Sequence, residues 1–120
     1  MKKIAIIGTG IMGNGIAANF LKHGYQVVLW NRSPEKLAGL IAQGGVAASS
    51  PKEAVEQADI VFEVTANDES SRAVWLGENG ILAGSHSGST LIASGTFSIV
   101  WINELISHCQ KNKATFLICP

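Results

Sequence analysis

The chain has 120 residues, 47% of them hydrophobic and 15% charged, which suits one packed domain and excludes a disordered chain. Nine basic residues balance nine acidic ones, so nucleic acid and anionic membrane are not expected partners. No apolar run approaches the roughly 18 residues of a membrane span. The apolar run behind Met1-Lys2-Lys3 stops at Gly8, too short for a signal-peptide core. Cys109 and Cys119 form no metal-ligand pattern, and a cytoplasmic protein with reduced thiols is the simplest expectation.

The first predicted element is the short, β-branched run 4–7, suited to a strand buried on both faces. Gly8, Gly10 and Gly13 follow with G-x-G-x-x-G spacing. Apolar residues at Ile11, Met12, Ile16, Ala17, Phe20 and Leu21 predict a helix over 11–23. The glycines therefore sit on a strand-to-helix turn, the context that the dinucleotide fingerprint requires. In such a turn the first glycine leaves the strand sharply, the second lets a pyrophosphate approach the backbone, and the third lets helix and strand pack closely. The helix N-terminus then faces the anion with free N–H groups and its positive dipole end.

Gly24 reads as the residue closing this helix, and residues 26–30 as the second strand. Ser33 and Pro34 open a helix over 35–43, closed by Gly44-Gly45. A short third strand covers 46–48. Ser50-Pro51 opens a helix to about residue 57, with Glu53 completing a capping box. The fourth strand is 59–64, and a helix capped by Asn67 or Asp68 runs to Trp75. Residues 77–84 read as turns, 85–89 as a small-residue loop and 90–93 as the fifth strand. Apolar Ile99, Val100, Ile102, Leu105 and Ile106 mark a helix over 98–111, and 115–118 is the sixth strand. Strand and helix alternate throughout, which predicts an α/β, Rossmann-type doubly wound parallel sheet of order 3-2-1-4-5-6. It forms one domain over 1–120, with no repeat and no linker.

The end of the second strand bears on the choice of dinucleotide. NAD sites favour Asp or Glu there, to accept from the ribose hydroxyls, whereas the 2′-phosphate of NADP would be repelled by a carboxylate. This chain has Asn31-Arg32-Ser33. The Arg32 guanidinium can hold a phosphate through paired bonds and Ser33 can add another, so NADP is expected, with NAD as second choice. An ordinary solvated loop charge is the alternative for Arg32.

The runs Ile6-Ile7-Gly8-Thr9-Gly10-Ile11-Met12-Gly13, Ala17-Ala18-Asn19-Phe20 and Val28-Leu29-Trp30-Asn31-Arg32-Ser33 closely resemble the β-hydroxyacid dehydrogenase family. That family includes 3-hydroxyisobutyrate dehydrogenases and 6-phosphogluconate dehydrogenase, and imine reductases are related. The likeness extends through residues 59–62, 76–84 and 116–120. It implies that Gly8, Gly10, Ile11, Met12 and Gly13 line the pyrophosphate turn. By the same likeness Asn31, Arg32 and Ser33 surround the adenosine ribose and its phosphate, Val64 and Thr65 lie beside the cofactor, and Thr96 lies near the nicotinamide. It also implies an oxidoreductase passing hydride between NADP(H) and a small 3-hydroxyacid or its carbonyl partner.

Departures from the family pattern are Ala93 and Gly95, where Asp and Ser are common, and Ala66, where Pro is common. Glu63 replaces a small or neutral residue, and is expected to point away from the cofactor or to pair with a cation. The family's chain continues into an all-helical domain that carries a catalytic Lys and much of a dimer interface. No lysine here sits at the expected carboxyl end of a central strand, so no catalytic residue is named in this chain. The alternatives are a non-catalytic NADP(H)-binding module and a degenerate fragment that binds nothing. Apolar surface left bare would favour a homodimer. His23, His86 and His108 read as structural. Trp30, Trp75 and Trp101 read as packing residues, with Trp75 and Trp101 alternatively marking a docking surface.

Overall fold

The computed structural model describes residues 2–95, 97–112 and 114–119, the last of them by its backbone alone. Six parallel strands form one sheet: β1 (Lys3–Ile7), β2 (Gln26–Trp30), β3 (Val46–Ala47), β4 (Ile60–Val64), β5 (Thr90–Ser94) and β6 (Thr115–Cys119). Their order is β3-β2-β1-β4-β5-β6, as the alternation of elements predicts. The helices are α1 (Ile11–Lys22), α2 (Ala38–Ala42), α3 (Pro51–Glu56), α4 (Asp68–Trp75), α5 (Ile81–Gly84) and α6 (Ile99–Lys111).

Strand alternation divides the core into two layers. Ile4, Ile6, Val27 and Leu29 face α1 and α2, where they meet Ala17, Leu37 and Leu40. Ala5, Ile7, Val61, Leu91 and Ala93 face the other side, where they meet Val55, Trp75, Trp101 and Leu105. Each fully buried isoleucine or leucine contributes about 1.5–3 kcal/mol relative to exposure, so both faces must be covered for the sheet to hold.

Four local expectations differ from the structure. Residues 35–43 are not one helix: a 3-10 turn at Pro34–Leu37 precedes α2, and Ser33 makes no side-chain cap. Residues 77–84 include α5, which seats Ile81 in the core. Ile11 and Met12 are 97% and 54% exposed, because the first turn of α1 projects beyond the end of β1. In α6 the core stripe is Trp101, Leu105 and Cys109 at spacing four, while Ile99 and Val100 are exposed.

The end signals of the helices are otherwise met. Asn67 caps α4 by accepting from the Ser70 N–H at 2.9 Å. At α1 the Gly24 N–H donates to Leu21 O and the Tyr25 N–H to Phe20 O, a Schellman closure. Ser50 accepts from the Glu53 N–H at 3.1 Å, and Glu53 reaches back one residue further than expected, to the N–H and hydroxyl of Ser49. Ser50→Ala is expected to lose about 1 kcal/mol in urea unfolding, the usual worth of an N-cap. An unchanged midpoint would show that Glu53 alone holds this end.

Candidate functional site

The carboxyl ends of β1, β2 and β4 lie side by side, with Ile7 in register with both Trp30 and Glu63. The segments that follow them, Gly8–Gly10, Asn31–Ser33 and Thr65–Ala66, therefore meet at one end of the sheet. This is the point where the strand order reverses, and where open α/β sheets place ligands. A cleft of about 780 Å³ opens there. It is lined by Gly8, Thr9 and Gly10, by Trp30 to Ser33 and Lys36, by Val64 to Ala66, and by Ser70, Ala73 and Val74 of α4.

The glycine turn is shaped by two steric demands. Gly8 has φ +96°, and a Cβ there would fall 2.1 Å from the Val64 carbonyl oxygen. A Cβ on Gly13 would fall 2.1 Å from the Gly8 carbonyl oxygen, which is how α1 packs onto the end of β1. Gly10 differs: its Cβ would meet nothing within 4 Å, so only open cleft lies beside it. The Asn31 side chain braces the turn. Its Oδ1 accepts from the Thr9 N–H at 3.2 Å and its Nδ2 donates to Ser33 O at 3.0 Å. Thr9 is buried, and among the described residues its hydroxyl has no hydrogen-bond partner.

Of the residues expected to bind cofactor, Gly8, Gly10, Asn31, Arg32, Ser33, Val64 and Thr65 line this one cleft. Ile11 and Met12 do not line it; they stand exposed on the first turn of α1. Gly13 is buried beneath the turn and acts through packing. Thr96 lies outside the described residues. Lys36, to which the sequence pattern assigns no role, also lines the cleft beside Arg32. Its signal was the Ser33-Pro34 start: the 3-10 turn brings Lys36 back over Ser33, with the Lys36 N–H donating to Ser33 O at 3.0 Å. Two cations and no carboxylate line the cleft among the described residues, so its electrostatics favour an anion.

Glu63 lies on β4 beneath this cleft and is fully buried on the side of α4 and α6. Among the described residues it pairs with no cation. The Trp75 indole N–H donates to Oε1 at 2.9 Å, the Ser71 hydroxyl donates to the same oxygen at 3.3 Å, and the Thr65 hydroxyl donates to Oε2. The Trp101 indole N–H donates in turn to the Ser71 hydroxyl at 2.8 Å. Burial raises the Glu63 carboxyl above its ordinary value, and the three hydrogen bonds oppose that rise. Trp75 and Trp101 are both completely buried, so they do not mark a docking surface. The Arg72 guanidinium covers the Trp101 ring at 4.5 Å and pairs with Glu104.

The histidines hold local structure. His86 Nε2 meets Ala58 O at 3.2 Å, His23 Nδ1 meets Asn19 O at 2.8 Å, and His108 stands 3.7 Å from Glu104. Burial pushes the Cys109 thiol up to about 12. No cluster able to hold a metal ion occurs among the described residues, and none of their helices is long and apolar enough to cross a membrane.

The family model described as the NAD binding domain of 6-phosphogluconate dehydrogenase matches residues 3–120. The chain belongs to that family. As a dinucleotide-binding domain it is 37% identical, over 121 aligned residues, to an uncharacterized oxidoreductase of Shewanella frigidimarina, covering 100% of this chain and 42% of that protein. It is 35% identical to the mitochondrial 3-hydroxyisobutyrate dehydrogenase of Rattus norvegicus, covering 98% of this chain and 35% of that protein. The Mycobacterium tuberculosis 3-hydroxyisobutyrate dehydrogenase structure superposes with a TM-score of 0.89 at 28% identity, covering 100% of this chain and 40% of that one. The dinucleotide-binding domain thus spans less than half the length of these relatives. Its glycine turn fits the group such a domain holds. The open side of Gly10 leaves the backbone room for the close approach of a pyrophosphate.

Proposed function

We propose that this domain binds NADP(H) in preference to NAD(H). We further propose that it serves an oxidoreductase that interconverts a small 3-hydroxyacid and its carbonyl partner. The observation that carries the cofactor choice is the convergence of Arg32, Ser33 and Lys36 on one wall of the cleft, with no acid at the end of β2. A ribose 2′-phosphate set against them gains two cations and a hydroxyl donor. The Gly8–Gly10 turn and the N-terminus of α1 hold the pyrophosphate, Val64 and Thr65 flank the cofactor, and Thr96 stands near the nicotinamide on the family pattern. Ile11 and Met12, exposed on the first turn, are placed against the bound dinucleotide on the same pattern.

When bound, the nicotinamide supplies hydride acceptance and donation. The chain's own residues bind and orient it, and no residue of this chain is assigned to move a proton. The domain organisation belongs to the same reading: residues 1–120 form the cofactor domain, and the proton-moving group lies on a helical domain of the full protein. We propose a homodimer, on the strength of the exposed apolar side chains of Ile99, Val100, Leu117 and Ile118, and a cytoplasmic protein, on the reading of its two cysteines as reduced thiols.

Calorimetric titration with NADPH and with NADH tests the cofactor choice. Arg32→Ala is expected to cost roughly 1.5–3 kcal/mol of NADPH binding, the worth of a charged hydrogen bond, and to leave NADH binding as it was. Equal loss for both cofactors, or none for either, would remove Arg32 from the phosphate site.

A further inference from the structure

We propose that Glu63 is a positioning residue for the cofactor cleft: its protonation sets whether the Thr65 hydroxyl turns its proton inward or offers it to the bound dinucleotide. The inference rests on the cleft being the dinucleotide site.

The geometry fixes where a proton on Glu63 must go. An indole N–H can only donate, so Trp75 holds Oε1 as an acceptor in either charge state. The Ser71 hydroxyl already accepts from Trp101, which turns its own proton toward the same oxygen. Oε1 is therefore committed to accepting. Oε2 has one partner among the described residues, the Thr65 hydroxyl. A proton taken up by Glu63 settles on Oε2 and is donated to Thr65 Oγ1. That hydroxyl, which can only rotate, then releases its own proton from the carboxylate.

Thr65 is suited to carry this change outward. Glu63 and Thr65 are two residues apart at the end of β4, so they share a side of the strand. Thr65 is half-buried and lines the cleft, whereas Glu63 does not touch it. With Glu63 ionised, Thr65 presents only lone pairs to the cleft, and these repel a phosphate or carbonyl oxygen. With Glu63 protonated, Thr65 presents a donor. A dinucleotide that sets a phosphate or carbonyl oxygen against Thr65 binds the second state better and draws a proton onto Glu63.

Burial holds the carboxyl in a range where such uptake can occur above its ordinary 4.5. The ionisable residues on the elements packed on this side are Lys52, Glu53 and Glu56 of α3, Asp68, Glu69 and Arg72 of α4, and Glu104, His108, Cys109 and Lys111 of α6. None of them is a hydrogen-bond or ion-pair partner of Glu63. Arg72 is engaged with Glu104 and Trp101, and Asp68 accepts from the Ser98 N–H at 3.0 Å.

The test is the dissociation constant of the 120-residue chain for NADP+, measured from about pH 5 to about pH 8 for the wild type, Glu63→Gln and Thr65→Val. NADP+ tolerates acid, and titration of its own 2′-phosphate is common to all three proteins and cancels in their ratios. Glutamine keeps the carbonyl acceptor for Trp75 and Ser71 and fixes a donor toward Thr65, as protonated Glu63 does. The affinity of Glu63→Gln relative to wild type is expected to be near one at the acid end and to rise at least about fivefold by the alkaline end. Thr65→Val retains Glu63 but lacks the relay, and is expected to lose the wild-type pH slope beyond that of Glu63→Gln. A ratio of Glu63→Gln to wild type that stays constant with pH overturns the proposal, as does a full wild-type slope in Thr65→Val. If none of the three proteins binds NADP+ at any pH, the cofactor reading of the cleft falls and this inference with it.

Discussion

Replacing Gly8 with alanine is expected to cost roughly 2–5 kcal/mol of stability and to abolish dinucleotide binding. The left-handed backbone at φ +96° accounts for about 1–2 kcal/mol of that in any residue with a Cβ. Overpacking adds about 1–3 kcal/mol more, because the new methyl would fall 2.1 Å from the Val64 carbonyl oxygen. That oxygen belongs to the main chain of a central strand and cannot rotate aside as a side chain would. Either the turn or the end of β4 must move, and both are walls of the cleft. Gly10→Ala is the control. Its Cβ meets nothing within 4 Å, so it should unfold within about 1 kcal/mol of wild type while weakening binding. Urea unfolding followed by circular dichroism, with a cofactor titration beside it, separates the two. A Gly8→Ala protein with the wild-type midpoint would show that the turn has room the structure denies it.

Glu63→Ala is expected to lose about 2–4 kcal/mol, because the Trp75 indole is left buried with no acceptor and a cavity opens beneath it. Glu63→Gln behaves oppositely, and its sign follows from linkage. The folded carboxyl titrates above the unfolded value of 4.5, so the folded state binds the proton more tightly. The Glu63 contribution to wild-type stability is therefore full below about 4.5 and declines as pH rises through the elevated folded value. The glutamine variant has no such decline. It should match the wild type at the acid end and exceed it at pH 8, by an amount read directly from unfolding midpoints across pH. A wild type that gains on the variant as pH rises would mean that the hydrogen bonds from Thr65, Trp75 and Ser71 outweigh the cost of burial.

These two sites illustrate what the sequence could and could not convey. The glycine turn was legible because its logic is local: a β-branched run, three glycines and a helix within residues 4–22. The strand order followed from the same local alternation, and the loop after β2 announced its cation at Arg32. Lys36 was missed because its place depends on a 3-10 turn that brings the residue back over Ser33. Ile11, Met12, Ile99 and Val100 kept a helical spacing yet stand outside the core. Spacing reports which side chains share a stripe, not whether a sheet lies beneath it. The surroundings of Glu63 were the least legible. Ser71 and Trp75 come from the next helix, and Trp101 from one that arrives 30 residues after Ser71. No pattern along the chain pairs an acid with two indoles so far apart.

The strand order also governs how the molecule can be made. Strand β1 needs β2 on one side and β4 on the other, and Ile4 in β1 pairs with Ile60 in β4. On the ribosome, the first half of the sheet therefore emerges with its most apolar strand unpaired along one margin. That margin stays open until residues 60–64 follow, several seconds later at about 5–20 residues per second. Until then the nascent chain carries a ready template for pairing with a neighbouring copy, and this interval sets its greatest exposure to aggregation.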